Sequence, residues 1–239
     1  LQGVPFHLDD FMRPFYTGSF WGLVINPFAL LAGVVSLSML IMHGAVYLQM
    51  RTEGELYHRA KKAVMAFSLM FMLAFALAGV WQAYGIEGYR LVSAPDPGGV
   101  LTPLDKTVEV AAGAWMANYS AYPWMILAPI LAFAGGILAL LMSRANRPGI
   151  AFIFSSAALA GVILTATLSM FPFIMPSSTV PSSGLTAFDA TSSHRTLNLM
   201  FVAVVVFLPI VLAYTSWVYR VMRGKVTEEK IREETHTAY

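Results

Sequence analysis

The chain has 239 residues, of which 57% are hydrophobic and 12% are charged, and its net charge is +2 at pH 7. Soluble domains carry about 25% charged residues, so the composition excludes an ordinary soluble domain. The small net charge gives no sign of a nucleic-acid partner, and the absence of cysteine excludes disulfides, iron–sulfur clusters and thiolate metal sites.

Five long stretches of the chain contain no Asp, Glu, Lys or Arg. Each is long enough to include the ~20 apolar residues with which a helix crosses a bilayer. The sequence therefore predicts an all-α integral membrane protein that forms a single domain over residues 1–239. The predicted helices lie at about 26–49, 63–86, 122–143, 149–172 and 196–219.

The basic residues alternate between the two sides of these five spans. Eleven Lys and Arg residues fall in the first connection, the third connection and the C-terminal tail, and four fall on the opposite side. Because cytoplasmic loops are enriched in Lys and Arg, we expect the chain to start outside and residues 220–239 to form a cytoplasmic tail. The sequence starts with Leu1 and shows no signal-peptide pattern, so we expect it to be part of something larger.

The connection between the second and third spans resembles the start of a helix. Thr102 suits an N-cap, Pro103 suits the first turn, and Asp105 suits the positive end of a helix dipole. The residues that follow offer apolar positions that include Trp115 and Met116. We therefore expect a short helix here that lies on the outer membrane surface.

Small residues and prolines mark candidate packing positions inside the spans. Ser156 with Ala160, and Ala157 with Gly161, have the small-xxx-small spacing that lets membrane helices approach closely. Gly135 and Gly136 can do the same in the third span. Pro129 and Pro209 each remove a backbone donor and should bend the third and fifth spans. The favoured interpretation is ordinary membrane packing.

The five spans contain no Asp, Glu, Lys or Arg, and His43 is the one histidine clearly within a span. A self-sufficient ion transporter would need a carboxylate in the membrane, so this pattern weighs against one. His43 and His194 lie at opposite depths and cannot ligate one haem, although a pair of His43 with a Met stays open. His43 therefore has three interpretations: a hydrogen-bonded bundle residue (favoured), a residue facing a quinone, lipid or proton path, or a metal ligand.

A polar bridge with little charge, residues 171–198, connects the fourth and fifth spans. Pro172 and Pro176 should end the fourth span as a regular helix. The hydroxyls of "MPSSTVPSS", including Ser177 and Ser178, have no partner base that would suggest catalysis, and we expect them to serve structure or an interface. Near the fifth span, Asp189, Ser192 or Ser193 can cap the helix, and Asp189 is also a candidate for an interface.

Five stretches carry a resemblance to a known family: "NPFALLAGVVSLSMLIMHGAVYLQMRTEGEL", "FALAGVWQAYGIEGY", "GAWMANYS" and "AFIFSSAALAGVILTATLSMFPFIMPSS" with "FDATSSHRTLN". The chain resembles the C-terminal part of subunit II of the cytochrome bd quinol oxidases, from Leu1 to Tyr239. The resemblance implies that four further helices precede this part. It also implies that the five spans form a four-helix bundle with one peripheral helix.

The resemblance also implies partners and cofactors. A haem-bearing subunit I would carry haem b and haem d and the quinol site, while this chain would ligate no haem and contain no catalytic residue. It would support assembly of a quinol:oxygen oxidoreductase in a bacterial or archaeal cytoplasmic membrane, with a quinone or lipid as the candidate occupant of a cleft. Further implied partners are the N-terminal helices of subunit II, membrane lipid and a small single-helix accessory subunit. Two alternatives stay open: a stand-alone quinone- or haem-binding membrane protein, and a transporter component.

Overall fold

Five long helices form the framework of the protein. A computed structural model describes residues 1–93, 102–221, 224 and 227. Its helices are α1 (Phe20–Val24), α2 (Pro27–Arg51), α3 (Gly54–Tyr84), α4 (Ala117–Ala121), α5 (Leu127–Arg144), α6 (Pro148–Met170) and α7 (His194–Val221). The five long ones, α5 with the 3-10 turn that precedes it, are long and apolar enough to cross a membrane, which confirms the predicted polytopic helical fold.

Local sequence explains the ends of these helices. The side chain of Asn26 accepts a hydrogen bond from the amide of Ala29 at 3.0 Å, and Pro27 occupies the first turn of α2. Helix α3 begins at Gly54, well before the predicted boundary at 63. The predicted boundary was wrong because the charged residues of this region end the apolar segment without ending the helix. Helix α6 ends at Met170, just before Pro172.

Helices α2, α3, α5 and α6 pack as a bundle around two clusters of buried apolar side chains. The buried members of the larger cluster are Val35, Met39, Met42, Phe71, Ala74, Ala132 and Ala158. Those of the other cluster are Ala45, Val46, Val64 and Ala151. The α5–α6 contact is the tightest, since a Cβ on Gly161 would lie 2.8 Å from Ala132 Cα and 2.9 Å from the carbonyl oxygen of Ala128. Gly135 is equally restricted, at 2.7 Å from the backbone nitrogen of Ala158. Small residues therefore let these two helices approach at backbone distance.

Helix α7 lies at the side of the bundle, and none of its residues is buried within this chain. Its contacts with α2 include the rings of Tyr47 and Tyr219, with centroids 6.4 Å apart, and a hydrogen bond of 3.3 Å from Arg51 Nη1 to the carbonyl oxygen of Gly224, which follows the helix. An apolar helix exposed on all sides suits lipid or other helices. The four-helix bundle with a peripheral helix agrees with the family expectation.

Three antiparallel strand pairs lie at one end of the bundle, which we call the capped end. They are β1 (Phe6–Leu8) with β2 (Pro14–Tyr16), β3 (Glu87–Ser93) with β4 (Thr107–Ala112), and β5 (Phe173–Met175) with β6 (Leu185–Thr186). The opposite end, which we call the basic end, carries the α2–α3 and α5–α6 turns. Asn146 has φ = 58° in the second of these turns, a conformation that Asn tolerates well.

The surface helix predicted from Thr102 was wrong. Residues 107–112 form strand β4, paired along β3, and three of the four residues of "TVEV" are β-branched, which favours a strand. Thr102 bonds the carboxylate of Asp105 within a turn, so it does not cap a helix. In the described part of this connection, helical structure appears only after the strand, in a 3-10 turn at Ala114–Met116 and in α4.

The two prolines predicted to bend helices occupy different positions. Pro129 is the third residue of α5, which follows a 3-10 turn at Pro123–Ile126. It therefore lies in the first turn, where proline is tolerated, and not in the interior that we expected. Pro209 does lie inside α7, and the bend there stays a prediction.

Candidate functional site

The three strand pairs at the capped end, with the loops that connect them, form what we call the cap, which joins the start of the chain to the polar bridge. The amide of Val4 donates to the carbonyl oxygen of Pro176 at 2.9 Å, and the amide of Ser178 donates to that of Val4 at 3.0 Å. The buried hydroxyl of Ser177 donates to the carbonyl oxygen of Phe6 and also accepts from the amide of Val180 at 3.1 Å. The bridge therefore uses hydroxyl and backbone groups to bind a neighbouring segment, which explains why it needs little charge.

An aromatic cluster packs against the cap where the cap meets the helices. Trp115, Tyr89 and Phe173 are buried together, with ring centroids 5.7–6.0 Å apart. Trp115 Nε1 donates to the carbonyl oxygen of Leu1 at 3.0 Å. Burial of the phenol, together with the carboxylate of Glu87, raises the pKa of Tyr89. The cluster gives the cap a rigid apolar base, and the indole N–H of Trp115 still has a hydrogen-bond partner.

One ion pair lies completely inside the cap. The ammonium of Lys106 is 2.8 Å from Oδ2 of Asp189, and neither side chain is exposed to solvent. Lys106 also donates to the carbonyl oxygen of Pro103 at 2.5 Å, while Oδ1 of Asp189 accepts from the amide of Thr186 at 2.9 Å. The pair links the approach to β4 with the end of the bridge, and each buried charge is compensated by the other.

The three candidate N-cap residues of α7 have different environments in the structure. Ser193 accepts a hydrogen bond from the amide of Thr196 at 3.4 Å, which is the N-cap arrangement. Ser192 is exposed, and Asp189 binds Lys106 and Thr186, so the capping role predicted for Asp189 was wrong. Its direct role at an interface with a partner stays a prediction; within this chain its side chain is buried.

A cleft of about 800 Å³ lies between α2, α3, α5 and α6, in the half of the bundle nearer the capped end. Its deep part is apolar and is lined by side chains that include Met39, Phe75 and Phe133. Its part near the cap carries polar side chains that include Gln82 and Tyr119. An apolar cleft with a few polar groups at one end suits an amphipathic molecule with a polar head and a long hydrocarbon tail.

Most polar groups at that end of the cleft are already paired. The hydroxyl of Thr165 donates to the carbonyl oxygen of Gly161 at 2.6 Å, and the hydroxyl of Ser169 donates to that of Thr165 at 2.7 Å. Tyr119 Oη lies 2.9 Å from the hydroxyl of Ser169. Gln82 differs, since the residue is 9% exposed and its side chain forms no hydrogen bond with any residue that the structure describes.

His43 lies on the α2–α6 contact and not among the residues that line the cleft. Its Nδ1 is 2.8 Å from the hydroxyl of Ser155, and its ring stacks on Phe152 with centroids 4.6 Å apart. His194 is at the start of α7, at the opposite end of the bundle. The geometry favours the interpretation of His43 as a hydrogen-bonded bundle residue.

A second polar network ties the helices together at the basic end. The buried carboxamide of Gln49 donates to the carbonyl oxygen of Ser143 at 3.1 Å, and the hydroxyl of Ser143 donates back to Gln49 Oε1 at 2.6 Å. Tyr57 donates to Asn146 Oδ1 at 3.0 Å, and Lys61 donates to the same oxygen at 2.7 Å. This network joins α2 and α3 to the α5–α6 turn and has a structural role.

The predicted small-residue pairs face different directions. Gly161 is buried against α5, as the close approach of the two helices requires. Ser156 and Ala160 are on the exposed face of α6, where the hydroxyl of Ser156 donates to the carbonyl oxygen of Phe152 within its own helix. The pair of Ser156 with Ala160 therefore takes no part in the α5–α6 contact and is free to meet another helix.

The comparison that decides the family covers most of the chain. A family model described as cytochrome bd terminal oxidase subunit II matches residues 1–222. The chain belongs to this family. Its fold, with a four-helix bundle, a peripheral helix and a structured cap, is thus that of part of a cytochrome bd subunit II.

Individual relatives agree with this assignment. The chain is 48% identical to the cytochrome bd-I ubiquinol oxidase subunit 2 of Escherichia coli strain K12, and 46% identical to a probable cytochrome oxidase subunit 2 of Haemophilus influenzae. Both matches cover 100% of this chain and 63% of the relative. A cytochrome bd ubiquinol oxidase subunit 2 of Bacillus subtilis is 25% identical, over 86% of this chain and 52% of its own length. The chain therefore spans less than two thirds of the relatives that it matches.

Proposed function

We propose that this chain is part of the non-haem subunit of a cytochrome bd-type respiratory quinol:oxygen oxidoreductase. The observation that carries the proposal is the match of residues 1–222 to subunit II of this family, together with 48% identity to a ubiquinol oxidase subunit along the whole chain. Reduction of oxygen to water takes place in a haem-bearing subunit I, and this chain supports the assembly and stability of that subunit.

The exposed apolar surfaces support a partner-dependent role. Helix α7 buries none of its residues in this chain, and the face of α6 with Ser156 and Ala160 is also open. We propose that subunit I and the N-terminal helices of subunit II cover part of these surfaces and that lipid covers the rest. The expected orientation, with the capped end outside and the basic end in the cytoplasm, follows from the Lys and Arg distribution.

The cleft supports a second part of the proposal. Its size, apolar depth and polar end fit a quinone or a lipid, held as a structural component of the subunit. The residues present thus fit such a group, which would supply a redox-active ring or a polar headgroup where the cleft meets the cap. Because Lys106 and Asp189 anchor the cap, they hold one end of this cleft in place and contribute no catalytic group.

The proposal is tested by purifying the complete oxidase from native membranes through a tag that follows Tyr239. We expect a stable complex in which a second, haem-bearing polypeptide accompanies this subunit in equal amount. Quantitative mass spectrometry of the purified complex measures this ratio. Recovery of the intact, folded subunit without a haem-bearing partner would contradict the proposal.

A further inference from the structure

Two cations lie side by side at the basic end, where α3 meets the end of α5. Lys61 of α3 donates from Nζ to the carbonyl oxygen of Arg144 at 3.1 Å and to Asn146 Oδ1 at 2.7 Å. Arg144, the last residue of α5, has its Nη2 2.8 Å from Sδ of Met65 on α3. The two side chains therefore occupy the same surface groove, which runs between α3 and α5 and which we call the α3–α5 groove.

Neither cation contacts a carboxylate in the part of the chain that the structure describes, where the two ion pairs both lie at the capped end. The oxygens that Lys61 binds are neutral, and the thioether of Met65 is a weak acceptor for a guanidinium. Arg144 is exposed, so most of its five N–H groups are open to a ligand. A phosphate group suits this arrangement, because it offers several charged oxygens to both side chains.

The groove continues from the two cations as an exposed apolar surface. Its residues follow the cations, and one another, at intervals of three or four positions, so they lie on one face of each helix. They are Met65 and Leu69 of α3, and Ile137 and Leu141 of α5. Their exposed fractions lie between 37% and 48%, and none of them lines the cleft near the capped end. The matching molecule therefore has an anionic head and a hydrocarbon tail.

We propose that the α3–α5 groove binds an anionic phospholipid, with its phosphate against Lys61 and Arg144 and its acyl chains along the apolar surface. Basic pockets between membrane helices on the cytoplasmic side are typical sites for anionic headgroups, and the orientation proposed above puts the basic end on that side. A free phosphate ion would meet the same cations but would leave the apolar surface uncovered. The inference goes beyond the proposed function and does not depend on the reaction that the complex catalyses.

The test compares the complete complex in four forms: wild type, Arg144→Gln, Arg144→Lys and Lys62→Gln. Arg144→Gln removes one cation of the groove and keeps the backbone carbonyl that Lys61 binds. Lys62 is exposed and adjacent to Lys61 in sequence, so it lies on another face of α3, and Lys62→Gln removes the same charge outside the groove. Each complex is first washed extensively in detergent. Native mass spectrometry then measures the binding of added phosphatidylglycerol and phosphatidylethanolamine, with inorganic phosphate as a competitor.

We expect the wild-type complex to bind anionic phosphatidylglycerol more tightly than zwitterionic phosphatidylethanolamine. Arg144→Gln should lower the affinity for phosphatidylglycerol about fivefold, which is the effect of one Lys or Arg beside an anionic lipid surface. Arg144→Lys should retain most of the affinity, and Lys62→Gln should bind like the wild type. Equal binding of the two lipids by the wild type, or equal losses in Arg144→Gln and Lys62→Gln, would overturn the site. Displacement of the lipid by inorganic phosphate would show a free-phosphate site and overturn the lipid as its occupant.

A second pair of variants tests the groove without removing either cation. Met65→Glu places a carboxylate where the thioether now contacts Arg144, so the cations gain an anion from the protein itself. Met65→Gln has nearly the same shape and no charge, and is the matched control. We expect Met65→Glu to lose the preference for phosphatidylglycerol and Met65→Gln to keep it, with similar melting temperatures for the two complexes. An unchanged preference in Met65→Glu would overturn the proposal.

Discussion

Lys106 and Asp189 form an ion pair of 2.8 Å with both side chains fully buried, in a part of the protein made of hairpins and loops. Each charge is further stabilised by a backbone group, the carbonyl oxygen of Pro103 for Lys106 and the amide of Thr186 for Asp189. The pair therefore fixes how the β3–β4 hairpin and the polar bridge meet. Because the pair connects two loops, it holds the polar bridge in one conformation at the capped end of the bundle.

Breaking this pair should destabilise the cap. In Asp189→Asn or Lys106→Met, one buried group loses its partner, and such losses cost about 3–5 kcal/mol. We expect each variant to lower the apparent melting temperature of the purified complex, while Lys106→Met combined with Asp189→Leu should recover much of the loss. Single variants as stable as the wild type would show that the pair does not hold the cap.

A larger side chain at Gly161 should separate α5 from α6. A Cβ at this position would already lie 2.8 Å from Ala132 Cα, and overpacking of this kind costs at least about 1–3 kcal/mol. We expect Gly161→Leu to reduce the amount of assembled complex in membranes, measured by native gel electrophoresis. The matched control is Gly149→Leu on the same helix, where a Cβ meets no atom within 4 Å. Equal assembly of the two variants would contradict the packing argument.

Removing the hydroxyl of Ser143 should weaken the basic end. Ser143→Ala leaves Gln49 Oε1 without its donor at 2.6 Å, and an unsatisfied buried group costs about 1–3 kcal/mol. We expect a lower melting temperature for this complex. Ser156→Ala provides the control, since its hydroxyl bonds only a carbonyl oxygen of its own helix on an exposed face and the change should have almost no effect. If both variants melt like the wild type, the network has no stabilising role.

His43 should be replaceable without any change in the haem spectrum. Its Nδ1 pairs with Ser155 and its ring stacks on Phe152, so the expected loss in His43→Phe is one hydrogen bond within the bundle. We expect the reduced-minus-oxidised spectrum and the quinol oxidase activity of the complex to match those of the wild type. A shifted haem band, or loss of activity in a complex that is fully assembled, would instead place His43 on a ligand or proton path.

The long helices were predictable from the sequence, because a membrane span depends on the composition of a long segment and not on its tertiary contacts. A span such as α2 needs only a long apolar segment, and Asn26 and Pro27 mark its start by local chemistry. The segment after Thr102 was misassigned because capping residues and apolar spacing also fit a strand, and pairing with β3 decides between the two. Tertiary pairing also assigns the role of Asp189, since nothing near it in sequence identifies Lys106 as its partner.

The cleft was harder to predict from the sequence than the helices. Gln82 stands out in the sequence as a polar residue within an apolar span, but its lack of a partner is visible only when the neighbouring helices are in place. The closeness of α5 and α6 was indicated by glycine and alanine spacing, and the structure shows that Gly161 is in the contact while Ser156 is not. Spacing alone does not determine which face of a helix meets its neighbour.

The most direct test of the assignment is a reduced-minus-oxidised visible spectrum of the complex purified through a tag after Tyr239. We expect absorption bands of both b-type and d-type haem, supplied by a subunit that remains bound to this one. A colourless preparation in which this subunit is intact and folded would contradict its proposed place in a cytochrome bd-type oxidase.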